Sequence, residues 1–181
     1  MTDHVFSNNP GTSEGVTMTD IEQARYEPGR GASPTRLSAD RLDSFLATHR
    51  MGALATNKRD RHPHLSTVAY RWDPATRTIS IGSTAGRAKV RQLIRDPYAA
   101  LYVSSPDHLT FAVAEGTAEV SPVSTIPGDA TGREMLTMFP EFDNPDDAPT
   151  FFANMVEDDR LVIRLRVARL YGDTLAPDRR P

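Results

Sequence analysis

Leu161-Val162-Ile163-Arg164-Leu165-Arg166-Val167-Ala168-Arg169-Leu170-Tyr171 sets aliphatic residues against arginines at every second position. In an extended chain Leu161, Ile163, Leu165 and Val167 share one side, and Arg164 and Arg166 share the other. A period of two predicts a strand with one buried and one solvated face, as in antiparallel sheets. Working outward from it, more strands come into view. Thr78 to Ser83 alternates Ile79 and Ile81 against Thr78 and Ser80. Met51 to Thr56, His64 to Trp72, Tyr98 to Ser104 and His108 to Ser121 complete a set of six. The first three in chain order read as a meander. Asp73-Pro74-Ala75-Thr76 turns between two of its strands, with proline at a favoured position. Gly116 marks a bulge or bend in the long fifth strand.

Helices are few. Leu42, Phe45 and Leu46 have helical spacing after Ser38, a good N-cap, with Asp40 in the first turn. A helix is expected over Ala39 to Thr48, and another over Gly86 to Arg95, closed by Asp96-Pro97. Two more are expected at Thr131 to Met138 and Thr150 to Val156, flanking an acidic, proline-rich loop. Six strands with few helices and mostly short links close best as a small antiparallel barrel with helices at its ends. The fold class is therefore mainly β with peripheral helices, α+β.

The chain has 181 residues, 38% of them hydrophobic and 25% charged, with a net charge of −3. One domain with a sizeable core fits that length. The weak negative charge supplies no global field for nucleic acid or an anionic membrane. Cysteine is absent, which removes disulfides, thiolate nucleophiles and cysteine metal sites, and fits the cytoplasm. No apolar run has the length of a membrane span. Residues 1–36 are polar and aperiodic and are expected to be a disordered tail. The domain is expected over 37–177, with 178–181 as a short C-terminal tail. Met1 to Gly15 carries no secretory pattern, and Met18 offers an alternative start.

The strongest chemical signal is Gly82-Ser83-Thr84-Ala85-Gly86-Arg87-Ala88-Lys89-Val90-Arg91. A strand ends in hydroxyl residues, a glycine follows, and a helix opens with three cations. Free N–H groups at a helix start attract an anion. Arg87 can grip a phosphate bidentately, and Lys89 adds a point charge. The run is not a Walker loop, because the Gly-Lys-Ser/Thr ending is missing. A second reading stays open: Arg87, Arg91 and Arg95 also lie where an ordinary amphipathic surface helix would carry solvated cations. His62 and His64 point to one side of a strand, but neither His49, His108 nor a carboxylate supplies metal-ligand spacing, so no metal is expected. Ser66 lacks a nucleophile elbow, and no residue is assigned as catalytic.

Three stretches together resemble one family: Gly52-Ala53-Leu54-Ala55-Thr56, Pro63-His64-Leu65-Ser66-Thr67-Val68, and Gly86-Arg87-Ala88-Lys89-Val90-Arg91-Gln92-Leu93-Ile94-Arg95-Asp96-Pro97. They are similar to the pyridoxamine 5′-phosphate oxidase-like split barrels, in particular their actinobacterial F420-dependent branch. Ala112-Val113-Ala114-Glu115-Gly116-Thr117-Ala118 and Arg169-Leu170-Tyr171-Gly172 fit as well. The resemblance implies a six-stranded, FMN-binding-type split barrel and a homodimer with cofactor at the subunit interface. It implies an oxidoreductase passing a hydride between the deazaflavin F420 and an unsaturated small-molecule acceptor. By the resemblance, Arg87, Lys89 and Arg91 hold the cofactor phosphate and acidic tail, with Ser83 and Thr84 beside it. The backbone of His64, Leu65, Ser66 and Thr67 passes along the ring. Relatives often carry Gln at the place of His64, and Asn at those of Thr67 and Gln92. FMN is therefore the alternative cofactor, and a non-catalytic cofactor- or haem-binding barrel the alternative role.

Overall fold

The computed structural model describes residues 33–139 and 147–175. The tail expected over residues 1–36 lies outside them as far as residue 32, as do the acidic loop over 140–146 and the chain from residue 176. Eight strands and four helices follow in the order β1 (Thr35–Arg36), α1 (Ala39–Thr48), β2 (Met51–Asn57), β3 (Pro63–Ala69), β4 (Arg71–Asp73), β5 (Thr78–Thr84), α2 (Ala88–Arg95), β6 (Tyr98–Ser104), β7 (Thr110–Val120), α3 (Ala130–Leu136), α4 (Asp147–Glu157) and β8 (Arg160–Thr174).

All strand pairs are antiparallel, and the sheet runs β3-β2-β6-β7-β8-β5-β4, with β1 on β8. The two ends of that path are β3 and β4, separated in the chain by Tyr70 alone. One bent run therefore supplies both edges, and the sheet curls back onto itself as a split barrel. This corrects two expectations. His64 to Trp72 is not one strand, and β3 does not pair with β5 as a simple meander would require: β3 pairs with β2, and β4 with β5. Tyr70 fastens the bend. Its N–H donates to Arg50 O at 3.0 Å, and its hydroxyl to Leu46 O at 3.0 Å. Burial pushes the phenol pKa up, with the Arg50 charge acting weakly against it. The six expected strands are all present; β4 arises from splitting one of them, and β1 adds two residues.

β8 is the longest strand and pairs with both β7 and β5. Its alternation is as expected: Leu161, Ile163, Leu165 and Val167 are buried with Ile79, Ile81, Leu54, Leu101 and Val103 inside the barrel. Ser38 caps α1 by accepting from Arg41 N–H. Leu42 and Leu46 of α1, and Val90 and Leu93 of α2, join the same apolar cluster. Gly116 is at the bulge: the register shifts between Glu115 and Gly116, and Ala168 is left without a partner. A Cβ at Gly116 would lie 1.9 Å from Arg166 O, so no other residue fits there without moving backbone.

Several element ends differ from expectation. α2 starts at Ala88, because Gly86 gains little from a helix and Arg87 is extended at φ −73° and ψ 144°. β7 starts at Thr110, after a turn in which His108 takes φ 60°. α3 begins one residue early and ends at Leu136, and α4 covers Asp147–Glu157. β8 extends beyond Tyr171 to Thr174, where Thr174 pairs with Thr110 and Thr35.

A second, smaller apolar layer lies outside the barrel. Val162 points away from Ile163 and is buried against Met135 of α3 and Met155 of α4. Arg164, on the same outward row, donates from Nε to Glu134 Oε1 at 2.6 Å and from Nη1 to Glu119 Oε1 at 2.8 Å. The Glu134 contact pins α3 to β8, and the Glu119 contact joins β7 to β8.

Candidate functional site

The site grows from the junction between β5 and α2. At the end of β5 the Ala85 N–H donates to Asp159 O at 3.0 Å, and the Arg87 N–H returns to Thr84 O at 3.2 Å. Arg87 takes the N-cap place without capping the helix by its side chain, and the first turn carries no acid. The opening N–H groups of α2 therefore have no side-chain cap, and Arg87 and Lys89 stand beside them. Arg87 is exposed and Lys89 half-buried. Partial burial lowers the Lys89 pKa, and the nearby Arg87 charge lowers it further. A strained pair of like charges is what a bound anion relieves. Ion pairs occur elsewhere, among them at Lys58, Arg160, Arg164, Arg166 and Arg169. Arg91 folds back, donating to Gly86 O at 2.5 Å, which steadies the loop before the helix.

Alternation sorts the remaining residues. On β3, Leu65 and Thr67 point outward and are exposed, while His64 and Ser66 are half-buried and share the inward side with Val68. On β5, Ser83 continues the inward row of Ile79 and Ile81, and Thr84 is on the outward row with Gly82. Leu65, Thr67, Thr84, Arg87 and Lys89 therefore belong to the outer surface, whereas the side chains of His64, Ser66 and Ser83 face inward. Ser66 Oγ and Ser83 Oγ are buried without a hydrogen-bond partner among the described residues. Such an orphaned hydroxyl costs about 1–3 kcal/mol, so the β3 and β5 ends of the barrel carry unspent polar capacity.

One residue outside the nine expected at the cofactor joins them, at a place where relatives often carry Asn. Gln92 of α2 is buried, and its Oε1 accepts from Thr56 Oγ1 at 2.6 Å and from His64 Nδ1 at 3.0 Å. The amide oxygen can accept from the imidazole, so Gln92 ties the His64 ring to the helix. The same contact locks α2 to β2 and β3, and so fixes the basic helix start relative to the β3 backbone. Helical spacing could have shown that Gln92 adjoins the buried Val90 and Leu93; it could not have shown Thr56 or His64.

Two hollows flank the junction. The first, about 360 Å³, lies between α2 and the β2–β3 turn and is lined by Lys58, Arg59, Arg91 and Arg95. The larger, about 730 Å³, opens on the outer side of β3 and β5, where Ala69 and Gly82 continue the rows of Thr67 and Thr84. None of the nine residues expected at the cofactor lines it. No group of three or more potential metal ligands occurs among the described residues, and none of their helices is long and apolar enough to cross a membrane.

A curled antiparallel sheet whose two edges come from one bent run, with a basic helix start beside the seam, defines a split-barrel protein. The chain belongs to the pyridoxamine 5′-phosphate oxidase family, whose model matches residues 38–172. It is 30% identical over 145 residues to the F420H2-dependent biliverdin reductase of Mycobacterium tuberculosis, covering 80% of this chain and 94% of that protein. Among solved structures it is similar to a conserved hypothetical protein of Mycobacterium tuberculosis, with TM-score 0.62 and 21% identity over 80% of this chain and 92% of that one. An F420 reductase matches with TM-score 0.52 and 24% identity, over 71% of this chain and 94% of that one. The last two likenesses concern the fold.

Proposed function

We propose that this chain is an F420-dependent oxidoreductase that binds the deazaflavin along the outer seam of β3 and β5. The observation that carries the reading is the uncapped start of α2, where Arg87 and a desolvated Lys89 stand without a carboxylate partner among the described residues. That donor set suits a phosphate and an acidic tail. The 30% identical relative, named for F420H2, favours the deazaflavin over FMN.

When bound, the cofactor supplies the hydride for an unsaturated organic acceptor. The chain's own residues bind and orient. Arg87 and Lys89 hold the anionic end, and Arg91 braces the loop through Gly86. Leu65 and Thr67 offer the outward row of β3 to the ring, and Thr84 that of β5. Gln92 holds the His64 imidazole in place.

The working form is a homodimer in the cytoplasm. Support comes from the outer face of β2, β3, β6 and β7, where Tyr98 and Tyr102 are 69% and 43% exposed and Met51 and Leu65 are also open. The test is a side-by-side titration of oxidised F420 and FMN, read by fluorescence and calorimetry. Tight F420 binding with weak FMN binding is expected. The reverse order moves the chain to flavin chemistry, and binding of neither refutes the reading.

A further inference from the structure

The larger cleft has a chemistry of its own. Met135, Met138, Phe139, Ala69 and Gly82 line it together with Arg50, Arg71 and Arg160. The floor is open because position 82 is glycine: a Cβ there would stand 2.8 Å from the Met135 sulfur. The three guanidinium groups are not equivalent. Arg160 is already paired with Asp158 at 3.0 Å. Arg71 donates to the neutral Thr137 carbonyl, and its charge also helps to hold the exposed Asp73 carboxyl below its ordinary pKa. Arg50 is exposed, and among the described residues its side chain has neither an ion pair nor a hydrogen bond. Among the described residues no carboxylate lines the cleft. Guanidinium groups in the lining of an apolar hollow, Arg50 among them without an ion pair among the described residues, select by charge as well as by shape.

We infer that this cleft binds an apolar, unsaturated molecule carrying a carboxylate or another anionic group, with Arg50 and Arg71 as the residues that select it. Soft walls suit a ligand of irregular outline, since methionine side chains repack readily. The anionic group lies against Arg50 and Arg71, and the apolar body against Met135, Met138 and Phe139. Ala69 and Gly82 adjoin the seam assigned to the cofactor, so the ligand is the hydride acceptor. That last step rests on the proposed reductase reading; the binding chemistry does not.

The test uses the full chain without cofactor and two fluorescent probes that differ only by a charge. One is 8-anilinonaphthalene-1-sulfonate and the other N-phenyl-1-naphthylamine, the same skeleton without the sulfonate. The sulfonate is expected to bind at least about tenfold more tightly, the effect of one charge-assisted contact. Its affinity should fall with added salt while that of the neutral probe does not. Arg50→Gln should remove most of the preference and Arg50→Glu should reverse it, with neutral-probe binding unchanged. Equal affinities, salt-independent sulfonate binding, or an unaltered preference in Arg50→Glu would each overturn the inference. So would competitive displacement of the sulfonate by F420, which would make the cleft the cofactor's own seat. Failure of F420 to bind, with the probe preference intact, would sink the reductase reading alone.

Discussion

The inside of the barrel and the layer outside β8 are packed with different materials. Inside, Ile79, Ile81, Ile163, Leu165 and Val103 are fully buried. Most are β-branched, with few rotamers, and they interdigitate on a pleated surface. Outside, Val162 meets Met135 and Met155, and Met138 and Phe151 fill in beside them. One strand serves both regions, because odd and even positions of β8 face opposite ways. The stiff interior holds the seam of β3 and β5 in place. The soft exterior forms a wall of the cleft, where Met135 and Met138 are also lining residues. A fixed scaffold beside an adaptable wall would let one fold keep the proposed cofactor corner while the space beside it varies.

Substitutions can break this contrast. The largest effect is expected inside: Ile163→Ala should cost about 3–5 kcal/mol, because rigid neighbours cannot collapse into the cavity. Urea denaturation measures it, and a cost under about 1 kcal/mol would mean that the interior is as soft as the exterior. A pair of glycines sharpens the point. Gly116→Ala drives a Cβ against the Arg166 carbonyl, whereas Gly82→Ala meets a movable Met135 thioether. The first should cost about 2–3 kcal/mol and the second under about 1 kcal/mol. Equal losses in thermal melts would erase the distinction.

The smallest effect concerns charge at the cofactor corner. The Lys89 pKa is held below the ordinary 10.5 by partial burial and then by Arg87. A bound anion favours the ammonium, so F420 affinity should fall by a few-fold as pH rises through the lowered value. Without ligand the sign reverses: the unfolded chain holds that proton more readily, so stability rises slightly over the same interval. Lys89→Arg should flatten the affinity profile. A wild-type profile that stays flat up to pH 10.5 would contradict the assignment.

Much of this was legible in the chain. The aliphatic–arginine alternation of β8, the capped α1, the limits of β6 and the bulge at Gly116 all follow from local pattern. So does the basic start of α2. The break at Tyr70 was not legible, because no glycine or proline marks it and its cause is closure of the sheet. Likewise, Arg50, Arg71 and Arg160 come from separate elements and meet only through the fold. The link from Gln92 to His64 and Thr56 spans 28 and 36 residues, beyond the reach of any period. Strand parity does place Ser66 and Ser83 inward, but only once the buried rows are known.

The most direct test of the central claim compares F420 binding to the wild-type chain and to Arg87→Ala/Lys89→Ala, with melting curves to show that both are folded. The account predicts a loss of at least about a hundredfold, the sum of two charge-assisted contacts, with an unchanged melt. Equal affinities in two equally folded proteins would place the cofactor elsewhere and contradict the account.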